Sequence, residues 1–354
     1  MLVYSTHDGI TQGTLSLLES AAVTEVFSIN AIRTNSGIRI FDLYVPAGFD
    51  PTQPQRIIVN IPGLKGDARN EVEDSISLIE THLLSNVIII GIYGKPDINY
   101  RSLDEIEGNM VIIPNGKEIN TTFSGYSVGD VGDGAFYKRD DDFTRSVISY
   151  VSRFVPVVEV IFICNSNGGV LSMMMNSTRK DRKTTKIITN SSNVTTSRAF
   201  GHSFPINVLT LHGGADKNVP YVGGAGTGGA AGYTFPSGTT NFEDWVTNNG
   251  NAAVVAMGTT FENVDDCPIG SEFFDYIKDN GSVRNQMLYV STNTSDAPCG
   301  VGGVVYPLDM GDGTVASHGL GDIDDIDDLQ VGNTRVRLNA YFFDFIQRYI
   351  PTKW

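Results

Sequence analysis

The stretch Ile161-Phe162-Ile163-Cys164-Asn165-Ser166-Asn167-Gly168-Gly169 constrains the fold more than any other part of the chain. An apolar, β-branched run from Val157 to Ile163 ends just ahead of a serine, two glycines follow almost at once, and Val170 to Asn176 has helix-forming composition. A strand that turns abruptly at a serine into a helix has the layout of a nucleophile elbow. The turn is too tight for bulky neighbours, so small residues must flank the serine. In return, the Ser166 Oγ projects at the top of a sheet, and the Asn167 backbone N–H points to where an oxyanion forms. The usual pattern is G-x-S-x-G. Here Cys164 stands at the first glycine, a substitution that a small, readily buried side chain allows, while Gly168 and Gly169 keep the far side open. The competing reading is a plain strand-to-helix turn that happens to carry a serine.

The surrounding elements alternate. Val23 to Arg33 and Gly37 to Val45 read as an opening antiparallel pair, with a turn at Asn35-Ser36-Gly37. Arg56 to Ile61 is a short buried strand broken by Pro62-Gly63, and Asp67 is placed to cap a helix with apolar residues Val72, Ile76, Leu78, Ile79 and Leu83 at helical spacing. Val87 to Ile92 is a second buried strand. A helix is expected to start at Asp140-Asp141-Asp142, three carboxylates at the positive end of its dipole, with Phe143, Val147, Ile148 and Val151 as its inner stripe. Lys186–Thr189, Asn207–Leu211, Gln286–Thr292 and Val304–Asp309 are strand-like, and Thr334 to Tyr349 reads as a closing helix. Strands alternating with helices imply a mostly parallel central sheet with helices on both faces. Together with the elbow, this points to an α/β-hydrolase fold. The whole chain, 1–354, is read as one catalytic domain. It has an N-terminal extension over 1–22, an irregular insertion over 95–134 with one hairpin, and loops close to the site over 223–283. Gly224-Ala225-Gly226-Thr227-Gly228-Gly229 formally matches a dinucleotide pattern, but it follows no strand and opens no clear helix, so a mobile loop is the preferred reading.

Composition narrows the partners. The 354 residues carry a formal net charge of −15, and no basic stripe exists to release counterions from nucleic acid or to meet an anionic membrane. No apolar run approaches the roughly 20 residues of a membrane helix. Met1 to Asp8 shows no basic start or apolar core of a secretory signal, and localisation is left open. The acidic segment Asp322 to Asp328 is either a structural calcium site or a solvated loop; the loop is preferred, because the segment lacks the glycine turn and closing glutamate of an EF-hand. No other cofactor or metal is expected. Three cysteines are too few for a disulfide scaffold. Cys267 and Cys299 flank a strand-like segment and are a candidate pair, which leaves Cys164 reduced beneath the elbow.

A serine nucleophile needs an imidazole to take its proton and a carboxylate to orient that imidazole. The chain order serine–acid–histidine excludes His7 and His82. In Leu211-His212-Gly213-Gly214-Ala215-Asp216 a strand ends, a glycine turn follows, and Asp216 sits in the loop. Only His318 comes after it, in a glycine-rich loop following the last strand-like segment. Asp296 and Asp312 are rival acids. His212 is expected to brace the turn beneath Asp216. The oxyanion donors are expected at the N–H of Asn167 and, from the turn after Ile61, at the N–H of Leu64.

With these residues placed, the chain resembles the polyhydroxybutyrate depolymerase and feruloyl esterase group of α/β-hydrolases over about Gly37 to Tyr349. The resemblance is carried by Asp42-Leu43-Tyr44-Val45-Pro46-Ala47-Gly48, by Ser166-Asn167-Gly168-Gly169 with Ser172-Met173, and most specifically by Leu211 to Asp216 with Val219-Pro220-Tyr221-Val222-Gly223-Gly224. Trp245 to Gly250 and Cys299 also fit. The resemblance implies a serine carboxylester hydrolase, without cofactor, acting on polymeric or aromatic esters. The chain departs from the group at Cys164, at Pro62-Gly63 where His-Gly is usual, and at Gly319-Leu320-Gly321 where tryptophan-proline is usual. Two rivals stand beside the esterase: a catalytically silent glycan- or polymer-binding relative, favoured by Cys164 and Pro62, and a serine peptidase on the same fold.

Overall fold

The computed structural model describes residues 26–34, 37–63, 68–81, 86–94, 110–112, 118–120, 134–178, 183–194, 206–213, 216, 218–227, 233–249, 257–262, 272–279, 284–291, 300–301, 304–305, 329–331 and 334–336. Its contacts divide into two compact units, Met1–Leu171 and Ser172–Trp354.

In the first unit, β1 (Val26–Thr34) and β2 (Gly37–Val45) pair antiparallel, with Thr34 opposite Gly37. β3 (Gln55–Ile61) is followed by helix α1 (Ala68–Thr81) and β4 (Val87–Ile92). The insertion contains a hairpin of β5 (Met110–Ile112) and β6 (Glu118–Asn120), as expected. Helix α2 (Gly134–Val151) then leads to β7 (Val157–Asn165). The strand order is β1-β2-β4-β3-β7. β4, β3 and β7 are parallel, and β2 joins β4 antiparallel.

All six residues of β4 are buried, as are six of the seven in β3. That is the signature of a parallel strand covered on both faces, and it explains why Val-Ile-Ile-Ile-Gly-Ile shows no alternation. The glycine in this run has a packing reason. A Cβ at Gly91 would meet Val72 Cγ2 at 2.7 Å and the Ala68 carbonyl oxygen at 3.0 Å, so Gly91 sets how closely α1 lies on the strand.

Helix α3 (Ser166–Thr178) spans the boundary between the units. The second unit continues with β8 (Thr184–Asn190) and β9 (Asn207–Gly213). Next come a small hairpin of β10 (Gly224–Ala225) and β11 (Thr234–Phe235), and helix α4 (Gly238–Asn248). β12 (Met257–Glu262), β13 (Glu272–Asp279) and β14 (Arg284–Ser291) follow. The order is β8-β9-β14-β13-β12, parallel through β8, β9 and β14 and antiparallel beyond. Two further hairpins pair β15 (Gly300–Val301) with β16 (Val304–Val305), and β17 (Leu329–Val331) with β18 (Thr334–Val336). Parallel strands, helices between them and an antiparallel opening pair make this the α/β-hydrolase class of fold expected from the sequence. Among the described residues no helix is long and apolar enough to cross a membrane.

Three sequence expectations are corrected. α2 begins at Gly134, so Asp140 to Asp142 lie in mid-helix and do not cap its positive end. Two of them have tertiary or along-helix partners instead: Asp140 meets Arg39 at 2.6 Å, and Asp141 pairs with Arg145 one turn on. The inner stripe Phe143, Val147, Ile148 and Val151 is buried as expected. Thr334 to Val336 is strand and not the opening of a helix, because β-branched Thr334 and Val336 pair with Val331 and Leu329; residues 337–354 lie outside the described set. Of the strand expected over Val304 to Asp309, Val304–Val305 is strand as expected, and residues 306–309 lie outside the described set. The span 223–283 is more than loops: its described residues form α4, β10, β11, β12 and β13. The glycine-rich stretch within it supplies β10, with Gly223 and Gly224 at φ +82° and +112°.

The first unit is pinned by a buried ion pair. Arg39, 4% exposed, donates to Asp140 Oδ1 at 2.6 Å and to the Tyr93 carbonyl at 2.8 Å, while its guanidinium lies 4.2 Å from the Phe143 ring centre. A charge with so little water around it is tolerated only while paired and hydrogen-bonded. Arg39→Ala should therefore lower the unfolding free energy by about 3–5 kcal/mol, because it strands Asp140. The double variant Arg39→Met/Asp140→Leu should recover most of that loss in urea denaturation. A single variant within 1 kcal/mol of wild type, on the order of a surface change, would show the pair to be dispensable.

Candidate active site

The strand-to-helix junction expected at the serine is present, and its backbone is strained there. β7 ends at Asn165 and α3 starts at Ser166, with no residue between them. Ser166 has φ +44°, one of two non-glycine residues with positive φ among those described. A side chain in that region costs on the order of 1–3 kcal/mol and persists only where the surroundings impose it. The surroundings here are close. A Cβ on Gly168 would stand 2.2 Å from the Ile61 carbonyl oxygen and 2.4 Å from that of Pro62, so only glycine lets the first turn of α3 tuck under the end of β3. Gly63 has its own constraint: its Cβ would lie 3.1 Å from Ser166 Cβ and 3.8 Å from Oγ. The segment leaving β3 thus passes directly beside the serine. Leu64, the expected second oxyanion donor, comes next in the chain and lies outside the described residues. Ser166 itself is 8% exposed, and Asn167 and Gly63 are partly exposed beside it.

Cys164 is accommodated without breaking the elbow. It sits opposite Ile61 in the ladder, is buried, and places Sγ 3.8 Å from the Val59 carbonyl oxygen. Its thiol is free. Asn60, one residue before Ile61, ties the same corner together: its side-chain amide donates to Ser75 Oγ at 2.9 Å and to the Ile163 carbonyl at 3.3 Å. Gly169 is buried within the first turn of α3.

The expected acid lies in the second unit. Asp216 follows the end of β9 and is buried. Its Oδ1 accepts from the backbone N–H of Asn218 at 2.8 Å and of Val219 at 3.0 Å, a tight aspartate-closed turn. His212 Nε2 lies 2.7 Å from the Val219 carbonyl oxygen and 3.8 Å from Asp216 Oδ2. The imidazole is therefore bonded to the turn, and the sequence expectation that His212 braces it agrees with this geometry. Tyr221 packs edge-on to His212, centroids 5.6 Å apart, and its carbonyl accepts from Gly238 N–H at 2.7 Å. A Cβ on Gly238 would sit 2.6 Å from the Tyr221 ring, so the start of α4 is shaped to back this tyrosine. The described residues of the motif Leu211 to Gly224 thus have a physical reading: they fasten the Asp216 carboxylate and the His212 ring to one turn of chain.

Helix α4 itself escaped the sequence reading. Its signals were present: Ser237 as N-cap, accepting from Thr240 N–H at 3.1 Å, and Phe242, Trp245 and Val246 at helical spacing, all buried. At its far end Asn249 exchanges two hydrogen bonds with the backbone of Ile206, which leads into β9.

Ser166 and Asp216 belong to separate units. His318, the rival acids Asp296 and Asp312, the acidic run Asp322–Asp328, and Cys267 and Cys299 lie outside the described residues. Among the described residues no cluster of three or more His, Cys, Asp or Glu is placed to hold a metal.

No family model matches this chain, and no curated protein matches it. Solved structures align with it in part. A ferulic acid esterase from Anaeromyces mucronatus, in complex with ferulic acid, is 12% identical over 70% of this chain and 88% of its own, with a TM-score of 0.38. A dienelactone hydrolase-like promiscuous phosphotriesterase, P91 from metagenomic libraries, is 14% identical over 64% and 78%, with a TM-score of 0.40. Another ferulic acid esterase aligns over 47% of this chain at 11% identity and a TM-score of 0.33; the chain spans 59% of that protein, less than two thirds of its length.

The elbow geometry makes two linked predictions. Gly168→Ala should destabilise the protein by about 3 kcal/mol or more, since the clash is with backbone and not with a side chain free to turn away. Ser166→Gly should do the reverse, raising stability by about 1 kcal/mol through release of the left-handed strain. Thermal or urea denaturation reads both; a Ser166→Gly variant less stable than wild type would contradict the strain.

Proposed function

We propose that this protein is a serine carboxylester hydrolase. Ser166 Oγ attacks the ester carbonyl while His318 takes its proton. The tetrahedral oxyanion is held by the amides of Asn167 and Leu64. His318 then protonates the departing alcohol, leaving an acyl-enzyme. Water, deprotonated by His318, attacks the acyl carbon, and Ser166 leaves with the proton restored. Asp216 fixes the tautomer of His318 and stabilises its imidazolium form. The substrates proposed are polyester, feruloyl-type or short-chain acyl esters, a range that rests on the sequence resemblance at Leu211–Gly224 and Ser166–Gly169.

The single observation that carries the reading is Ser166 at φ +44° on the strand-to-helix junction. Backbone strain at a serine has no structural benefit when glycine is available, and Gly168 and Gly169 show that the local sequence uses glycine where room is all that is needed. A strained serine is therefore kept for its hydroxyl. The acid loop adds support, because a carboxylate held by two amides is preoriented, as a triad acid must be.

Ser166→Ala should lower p-nitrophenyl ester turnover by about 10³-fold or more. Its melting temperature should stay close to that of wild type. Hydroxycinnamoyl, short-chain and polyester substrates assayed side by side rank the acyl preference. Undiminished turnover in Ser166→Ala would refute the assignment.

A further inference from the structure

We propose that His212 is the positioning residue for the acid. It holds the Asp216 carboxylate in its working orientation through Val219, and so acts on the reaction without touching substrate. This inference rests on the serine-hydrolase reading above and adds a residue to it.

The geometry is a closed circuit. A nitrogen 2.7 Å from a carbonyl oxygen must be the donor, so His212 carries its proton on Nε2 and gives it to the Val219 carbonyl. Val219 in turn donates its own N–H to Asp216 Oδ1. The same residue is thus fastened at both ends of its peptide, to the imidazole by its oxygen and to the carboxylate by its nitrogen. The histidine is itself fixed. It lies in β9, opposite Tyr289 of β14 in the ladder, and its ring is fully enclosed, edge-on to Tyr221. Tyr221 is backed by the start of α4 through the Gly238 N–H bond. Nothing in this chain of contacts is adjustable at low cost: strand, ring, turn and helix each restrict the next.

A direct ion pair is not the mechanism. His212 Nε2 stands 3.8 Å from Asp216 Oδ2, beyond hydrogen-bond range, and its proton is already committed to Val219. The role is steric and directional. Two amides fix Oδ1, and the rotation that remains to the carboxyl group follows the turn that His212 closes. An apolar ring or chain at 212 would fill the space but leave the Val219 carbonyl without its donor. The turn would then relax, and misplacement by about 1 Å is worth roughly 10²-fold in rate.

The test is a double-mutant cycle on the full chain, with kcat and KM for a p-nitrophenyl ester measured separately. His212→Leu should lower kcat roughly 10- to 100-fold with KM within about twofold. His212→Gln, which keeps a donor, should recover most of the loss. The deciding comparison is His212→Leu/Asp216→Ala against Asp216→Ala alone. If His212 acts through Asp216, the double variant is slower by less than about twofold. Losses that multiply would show a general structural role and overturn the proposal, as would an unchanged kcat in His212→Leu. Should His212→Leu not fold, ¹⁵N spectra of wild-type imidazoles decide instead: a His212 proton on Nε2 supports the circuit, and one on Nδ1 breaks it. A wild type inert towards every ester would sink the hydrolase reading and this proposal with it; an active wild type with multiplying losses sinks this proposal alone.

Discussion

The approach of Gly168 to the carbonyl oxygens of Ile61 and Pro62 is the contact on which the candidate site depends. Because no side chain intervenes, α3 begins directly after the last residue of β7 and beneath the end of β3. That proximity leaves no room for a relaxed turn, so the chain reverses through a single residue in the left-handed region. The residue so used is a serine, and its hydroxyl is thereby presented beside Gly63 at the end of the parallel strands. One steric condition, the absence of a Cβ at 168, thus links packing to backbone strain and strain to presentation of a hydroxyl. The stability cost falls on Ser166, and the burial of β3, β4 and β7 around it offsets that cost.

The acid loop uses a different economy. Asp216 is not strained; it is over-determined. Two amides, an imidazole, a tyrosine edge and a helix start restrict one turn of chain. Local hydrogen bonds hold the carboxylate, and long-range packing holds the residues that make them. The same division recurs in the first unit, where Arg39 serves Asp140, Tyr93 and Phe143 together. At both places several partners share one buried charge.

Much of this was legible in the sequence, for physical reasons that differ by element. Runs of β-branched residues such as Val87 to Ile92 are unambiguous because a doubly covered strand needs every side chain apolar. The bounds of β2 and β4 follow the sequence reading residue for residue. The elbow was readable because its steric demand is local: small residues must flank one serine. The three aspartates at 140–142 misled for the opposite reason. Asp140 answers to Arg39, 101 residues away, and no local rule reports such a partner. Thr334 to Val336 misled because a three-residue strand carries too little periodicity to outweigh the apolar stripe that follows it. α4 was hidden by the glycine-rich stretch before it, although Ser237 and the spacing of Phe242, Trp245 and Val246 mark it clearly. The edge strand β12 and its neighbour β13 lack clean alternation, as Glu272-Phe273-Phe274-Asp275-Tyr276-Ile277 illustrates, and so gave no period to read.

The most direct test of the account is covalent labelling of the native chain with a fluorophosphonate, followed by peptide mass mapping. An activated serine attacks phosphorus and loses fluoride, and an unactivated one does not. The account predicts a single adduct, on Ser166, formed in the native state and lost on denaturation. Absence of any adduct, or an adduct on another serine with Ser166 unmodified, would contradict it.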